Sequence, residues 1–276
     1  MPGLSAVIIA HDEKQDVARA IRAVSFADEV LLMDAGPTER IMEVPGPLHA
    51  RVVKHAFEGD GPTKRRAVAE AAHDWVLCLD ADEEVTPELA AAIRELLAGG
   101  QPTCAAYRFR FVTAFMGRPL THGAASNRYP VRLFDRRRAE WSSAPVAAEL
   151  GLSGIEGHLP GAVLHHALRD LSDSIAKMDT ESSLAALGVA MSGRCPGGLA
   201  IVLTATFQFL RHYVLKQSFR DGFPGLAWSF VRAVESSMKY LKARELVACS
   251  GSGPGPNAGA VDRLPRRPAA GSRSWR

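Results

Sequence analysis

The chain has 276 residues, with 33 Lys and Arg against 30 Asp and Glu, a formal net charge of +3. Hydrophobic residues make up 47% and charged residues 23%, an ordinary globular composition that excludes a wholly disordered or collagen-like chain. The positive charge belongs to the end of the chain: residues 249–276 hold five Arg and one Asp, and without them 28 basic residues face 29 acidic ones. The body therefore offers no electrostatic reason to bind nucleic acid. Cys78, Cys104, Cys195 and Cys249 lie far apart with no C-x-x-C pair, which excludes a zinc ribbon and argues against a disulfide-stapled secreted module. No basic run followed by an apolar core opens the chain, and no stretch of about 18 uncharged apolar residues occurs. The expectation is a reducing, cytoplasmic compartment without a spanning helix.

Leu4–Ala10 (LSAVIIA) is a run rich in apolar and β-branched residues, as in a strand buried on both faces. Val17, Ala20, Ile21 and Val24 then repeat at helical spacing. Glu29–Met33 reads as a second strand ending in the turn signal Asp34-Ala35-Gly36-Pro37, and Arg51–His55 as a weak third. Pro62 to His73 is an Ala-rich helix with Pro in its first turn. Trp75–Leu79 is a fourth strand that runs into Asp80-Ala81-Asp82. Thr86, Pro87 and Glu88 supply an N-cap, a Pro at N1 and a first-turn acid for a helix running to Ala98 and stopping at Gly99-Gly100. This alternation predicts βαβ units and a parallel sheet. Strands at Ala105–Phe115 and Tyr129–Phe134 follow without crossover helices, then a helix over Leu171–Met191 and the segment 199–247. Nine of residues 250–276 are Gly or Pro, and this tail reads as disordered.

Ligands bind at the carboxyl ends of strands in open α/β sheets, so the polar residues there carry the chemistry. Strand one ends at His11-Asp12-Glu13, strand two at Asp34, strand four at Asp80-Ala81-Asp82-Glu83. Carboxylates gathered on one edge repel one another unless a cation offsets them. Asp-x-Asp after a strand can offer oxygens to Mg²⁺ or Mn²⁺, with a diphosphate completing the shell. Each piece also has a plain structural reading: Asp34 as a turn former, Asp82 and Glu83 as exposed acids ahead of a helix. No P-loop, dinucleotide-binding fingerprint or G-x-S-x-G elbow is present.

LSAVIIAHDE, SFADEVLLMDAGPTE and GPTKRRAVAEAAHDWVLCLDADEEVTPEL, followed by VRLFDRRRAEW, APVAAEL, LHHALRDLSD and KQSFRDGFPGLAWSFVRA, resemble a family 2 glycosyltransferase. The similarity is to the group that adds glucose or heptose to the lipopolysaccharide inner core, and spans about residues 3–247. It implies an α/β class of GT-A type: a mostly parallel twisted sheet flanked by helices, with a C-terminal helical appendage. The implied division is a catalytic, nucleotide-sugar-binding domain over 1–170, a helical and membrane-surface appendage over 171–247, and a tail over 248–276. By position in the motifs, Asp12, Glu13, Asp34, Lys64, Asp80 and Arg132 would bind the donor. Asp82 and Asp80 would hold Mg²⁺ or Mn²⁺, and His165 reads either as a further metal ligand or as a packed histidine after a strand. The implied activity is inverting transfer of a hexose from a nucleotide-diphospho-sugar, UDP-linked, to a sugar of a lipid-linked glycan such as lipopolysaccharide core.

Three departures stand out. The family's D-S-G-S-T-D turn reads Asp34-Ala35-Gly36-Pro37-Thr38-Glu39, its K-N reads Lys64-Arg65, and its His-Glu after Pro145-Val146 reads Ala147-Ala148. An inverting transferase needs a carboxylate to deprotonate the acceptor, and Glu149 is the nearest in sequence. A nucleotide-sugar-binding protein with lost or weakened transfer is the alternative that the alanine pair raises; a nucleotidyltransferase lacks the basic glycine-rich loop it needs. Residues 194–246 carry eight basic residues against three acids, interleaved with aromatics. That pattern fits helices lying on an anionic bilayer, or a helical hairpin packed on the catalytic domain or a dimer contact. The expected location is the cytoplasm, peripheral on the inner face of the cytoplasmic membrane.

Overall fold

The computed structural model describes residues 1–11, 16–36, 44, 48–123, 128–144, 148–166, 171–192 and 196–250. In chain order the first elements are β1 (Leu4–Ala10), α1 (Val17–Ala23), β2 (Glu29–Asp34), β3 (Arg51–Lys54), α2 (Asp60–Glu70), β4 (Trp75–Asp80), β5 (Glu83–Val85) and α3 (Pro87–Ala98). They are followed by β6 (Ala106–Phe115), β7 (Arg118–Pro119), β8 (Val131–Asp135), β9 (Ala139–Trp141), β10 (Leu150–Leu152) and β11 (Glu156–His165). Three helices close the described chain: α4 (Leu171–Met191), α5 (Gly198–Leu210) and α6 (Gly222–Ser250). Two compact units result, Met1–Thr113 with Asn127–Ala167, and Ala114–Ser126 with Leu168–Arg276.

The main sheet has the order β3-β2-β1-β4-β8-β6-β11-β5, with β7 on β6. It is parallel through β3, β2, β1 and β4. Beyond β4 the pairing mixes: β8 runs antiparallel to β4 and β6, β11 is parallel to β6, and β5 is antiparallel to β11. The expected α/β class holds, but the sheet is mixed rather than mostly parallel. Because the chain passes from β1 to β2 on one side and returns to β4 on the other, the carboxyl ends of β1 and β4 form the topological switch point.

Alternation along the strands feeds two cores. Ala6, Ile8 and Ala10 of β1 pack with Leu77, Leu79, Ile21 of α1 and Ile93 of α3 on one face. Val7 packs with Leu31, Met33, Cys78 and Val68 of α2 on the other. Each fully buried Leu, Ile or Val contributes about 1.5–3 kcal/mol by removal from water, so burial on both faces makes β1 the best anchored strand. α2 starts two residues earlier than the sequence predicts and ends at Glu70, three short of His73. The reason is local: the Glu29 carboxylate takes the N–H of Ala72 at 2.6 Å, and Ser5 Oγ takes that of His73 at 3.0 Å. Those amides are then lost to any further helical turn. Thr86 caps α3 as expected, its Oγ1 accepting from Leu89 N–H at 3.4 Å and from Ala162 N–H at 3.1 Å. β11 approaches so closely that a Cβ on Gly161, at φ +87°, would lie 2.4 Å from Leu89 N. Only glycine serves there.

In the second unit α4 and α5 each pack on α6, and Phe115 and Leu120 bury against Trp228. That cluster is why residues 114–126 group with the helices, not with the first domain to which a boundary at 170 would assign them. α6 also continues to Ser250, past the expected limit of 247; residues 251–276 lie outside the described residues. α5 runs on through a π-helical turn, Arg211–Leu215. Together Gly198–Leu215 make 18 residues of mean hydropathy 1.3, 6% buried, long and apolar enough by composition to cross a membrane. This departs from the sequence expectation of no spanning helix: the stretch includes Arg211 and His212, so it is apolar on average without being uncharged.

Asp221 fastens the 121–122 segment. Its carboxylate, 4% exposed, accepts from Thr121 N–H at 3.0 Å and Oγ1 at 2.9 Å, and from His122 N–H at 3.0 Å, with His122 Nδ1 at 2.9 Å. Burial alone would raise this carboxyl, but the bonds from His122 and Thr121 outweigh it and hold it below the ordinary aspartate value. A depressed folded value gives stability above the unfolded pKa and loses it as pH falls through the folded one. Asp221→Asn is therefore expected to lower the melting temperature at pH 7, with the gap to wild type closing between about pH 4 and pH 2. Thermal unfolding of both proteins at the two extremes checks this; an unchanged gap at pH 2 contradicts it.

Candidate active site

Parallel register places the acidic strand ends. Ala10 of β1 is level with Asp34 of β2, and Ile9 with Asp80 of β4. The two aspartates thus flank the end of β1, about 10 Å apart at two strand spacings. Asp12 and Glu13, expected to contact the donor, lie outside the described residues.

Asp34 is buried and acts as a turn former. Its Oδ1 accepts from Gly36 N–H at 3.0 Å, the local turn, and from Lys54 Nζ at 3.1 Å. Lys54 also donates to Gly36 O at 2.8 Å. The sequence reading missed Lys54, although a strand in register with β2 sets it directly beside Asp34. His11 closes this corner, with Nδ1 2.6 Å from Ala35 O and its ring 4.9 Å from that of Phe57.

The D-x-D divides its labour. Asp80 Oδ2 meets Arg132 Nη2 at 3.3 Å, Oδ1 lies 3.8 Å from Lys64 Nζ, and its N–H donates to Glu83 Oε2 at 3.0 Å. Arg132 Nη2 also binds Glu83 Oε1 at 2.6 Å, both side chains being 1% exposed. Burial opposes the charge on Arg132, but Glu83 and Asp80 outweigh it and raise its pKa. Arg132, expected to contact the donor, is the counter-ion of this strand end. Lys64 is 2% exposed, ion-paired with Asp60 Oδ1 at 2.6 Å, and sits 4.9 Å from the Trp141 ring centre. Glu83, read as an exposed acid, is buried because β5 turns it inward against Arg132. In sequence its only signal is the alternation Glu83-Glu84-Val85. Cys78 lies within the same strand, where burial pushes its thiol up to about 12; it is not a nucleophile at neutral pH.

Asp82 faces the other way. Its Oδ2 lies 3.3 Å from Nε2 of His165, which β11 sets opposite Glu83. Donor atoms of Asp82, Glu83 and His165 all fall within 4.8 Å of one another. Of the expected ligand set Asp82, Asp80 and His165, Asp82 and His165 meet here together with Glu83, while Asp80 contacts Arg132 and Lys64. His165 Nδ1 is buried with no hydrogen-bond partner. Burial disfavours the His165 imidazolium, but Asp82, then Glu83 and Asp80, overcome this and raise its pKa. A carboxylate with an imidazole suits Mn²⁺ better than Mg²⁺, which prefers oxygen alone.

Glu149, the expected base, does not face this cleft. Trp141 pairs with Leu150 across the β9–β10 hairpin. Ala148 and Leu150 pack toward the Trp141 core, so Glu149 between them points to the opposite side and is exposed. Ala147 lies outside the described residues. The 148 position has drawn a different acid: Asp60 Oδ2 accepts its N–H at 3.0 Å.

The family model "Glycosyl transferase family 2" matches residues 5–147, more than half of the chain and all of the strands described above except β10 and β11. The chain belongs to glycosyl transferase family 2. Over 257 residues this transferase is 25% identical to an uncharacterized glycosyltransferase of Rickettsia typhi, covering 89% of this chain and 88% of that protein. Over 248 residues it is 24% identical to the lipopolysaccharide core biosynthesis glycosyltransferase LpsC of Rhizobium meliloti, covering 87% and 91%. The crystal structure of S. aureus TarS 1-349 is similar at a TM-score of 0.41 and 10% identity, with 91% and 92% covered. Family membership makes the chain a glycosyltransferase, the activity expected from the sequence.

The buried pair at its centre is testable. Arg132→Met leaves Glu83 uncompensated and is expected to cost about 3–5 kcal/mol of stability. Adding Glu83→Gln to Arg132→Met should recover part of that loss. Urea unfolding of the single and double variants measures both.

Proposed function

We propose that this glycosyltransferase moves a hexose, with inversion, from a UDP-linked donor to a sugar of a lipid-linked glycan such as lipopolysaccharide core. The observation that carries the reading is the split D-x-D: Asp80 neutralised by Arg132 and Lys64, Asp82 turned toward His165 at the switch point of the sheet. Asp34 accepts N–H donors and Lys54 offers an ammonium to carbonyls, the complement of a uracil edge, where one N–H lies between two C=O groups. Asp82 and His165, with Glu83 behind them, would hold Mn²⁺ or Mg²⁺. Bound there, the ion would supply positive charge against the negative charge building on the leaving diphosphate. The LpsC likeness supports the glycan class of the acceptor.

Calorimetry with UDP checks the donor site. UDP is expected to bind the wild-type chain with Mn²⁺ present, and Asp82→Ala to weaken that binding at least tenfold. Metal-independent binding that the substitution leaves unchanged contradicts it. The outward Glu149 favours a second reading, donor binding without transfer, and release of UDP from UDP-sugars separates the two.

A lipid-linked acceptor places the enzyme at a bilayer, on the cytoplasmic side of the inner membrane in this reading. Leu199, Leu203, Phe207, Leu210 and Val214 recur at helical spacing along α5 and its π turn, each at least 49% exposed. Arg211, Lys216 and Arg220 are exposed nearby, while Asp221, the one acid between 198 and 230, is spent on Thr121 and His122. An apolar stripe bordered by cations suits an anionic membrane surface. The full chain is expected to float with phosphatidylglycerol-containing vesicles, less so in high salt, and Leu203→Ser with Phe207→Ser to lose at least tenfold in binding. Equal binding to neutral phosphatidylcholine vesicles, or none to either, counts against this surface.

A further inference from the structure

Resting on the glycosyl-transfer reading, we infer that Asp60 is the proton acceptor for the attacking hydroxyl. Transfer to a hydroxyl needs a base beside the incoming oxygen, and Glu149 faces away. Asp60 opens α2 with its side chain 25% exposed. Lys64 Nζ orients one oxygen at 2.6 Å and the N–H of Ala148 orients the other at 3.0 Å. Lys64 in turn lies 3.8 Å from Asp80 Oδ1, so Asp60 stands one lysine away from the D-x-D strand end.

The placement is held by backbone. Gly61 N–H donates to Ala144 O at 3.0 Å, and a Cβ on Gly61 would lie 2.0 Å from Ser142 O. The first turn of α2 is therefore pressed against Ser142 and Ala144 at a distance glycine alone permits. Ala148 brings no carboxylate to that edge, and α2 supplies one across the contact. Each carboxylate oxygen keeps a second lone pair after serving Lys64 and Ala148, and the partial exposure leaves it within reach of an arriving acceptor. Glu83 is sealed at 1% exposure, and Asp82 is turned to His165. In the step, the acceptor O–H proton passes to Asp60 as that oxygen bonds to the anomeric carbon. The bond from the anomeric carbon to the diphosphate oxygen breaks, its electron pair leaving with UDP. Asp60 then returns the proton to solvent.

Asp60→Asn keeps an oxygen for the Ala148 N–H but removes the base, and Asp60→Ser, a good residue at a helix start, gives a second variant should the first fail to fold. UDP affinity is measured by calorimetry with Mn²⁺. Turnover is read as UDP released from UDP-glucose, UDP-galactose or UDP-N-acetylglucosamine, with water as the attacking hydroxyl. Variants that bind UDP within threefold of wild type while releasing it about 100-fold more slowly, or slower still, support the inference. Equal release by wild type and variants, nil included, overturns it. So does loss of UDP affinity in both variants, which would make Asp60 a support of the donor pocket. A wild-type chain that does not bind UDP overturns the donor reading, and this inference with it.

Discussion

A guanidinium taken out of water must be given carboxylates, and at the end of β4 that requirement organises everything near it. Arg132 arrives from β8, Glu83 from β5 and Asp80 from β4, so the pairing can be satisfied only when three strands have reached their final places. Buried ion pairs of this kind add little net stability compared with apolar packing, but they are costly to leave half made. Their effect is on specificity of arrangement. Glu83 turned inward fixes the register of β5 on β11, and that register sets His165 opposite Glu83 and beside Asp82. A charge balance in the interior thereby determines which groups meet at the surface.

The same logic explains what could be read from the residues alone. The parallel half of the sheet was legible because strands buried on both faces must be almost wholly apolar, as Leu4–Ala10 (but for Ser5) and Trp75–Leu79 are. α3 was legible to the residue, since Thr86, Pro87 and Gly99 each have one physical use at a helix end. β11 was not. Its sequence EGHLPGAVLH contains a proline and two glycines and buries Val163 alone, so it carries neither a continuous apolar run nor a clean alternation. β5 has three residues and looks like the approach to a helix. At the site, carboxylates at strand ends were visible, but their partners were not. Lys54, Lys64 and Arg132 lie 20, 16 and 52 residues from the aspartates they meet, and no local pattern encodes such pairings. Glu149 failed for a related reason: a shift of one residue in an extended segment reverses the face.

The second unit shows the opposite imbalance, with apolar groups left facing outward. Single exposed leucines need no explanation, but a continuous stripe along α5 does. No charged residue lies in α5 itself; Arg211 and His212 sit together where the helix widens into its π turn. The acid that could offset nearby cations is withdrawn to hold residues 121 and 122. Apolar and basic character are thus concentrated on the accessible side, a distribution that costs solubility unless something covers it.

The two aspartates of the D-x-D show how a repeated residue can come to hold unlike duties. Between them Ala81 is 1% exposed, and its N–H is tied to Ile9 O at 2.9 Å. That tether holds the end of β4 against β1 as far as Ala81, so Asp80 keeps the strand direction and meets Lys64 and Arg132. Past the tether the chain turns, and Asp82 is released toward β11, where His165 waits. Were both carboxylates neutralised by buried cations, the edge would have no affinity left for an external one. Were neither, their mutual repulsion would oppose folding. Dividing them at Ala81 avoids both outcomes, because Asp80 is compensated by the cations of β8 and α2 and Asp82 by the imidazole of β11.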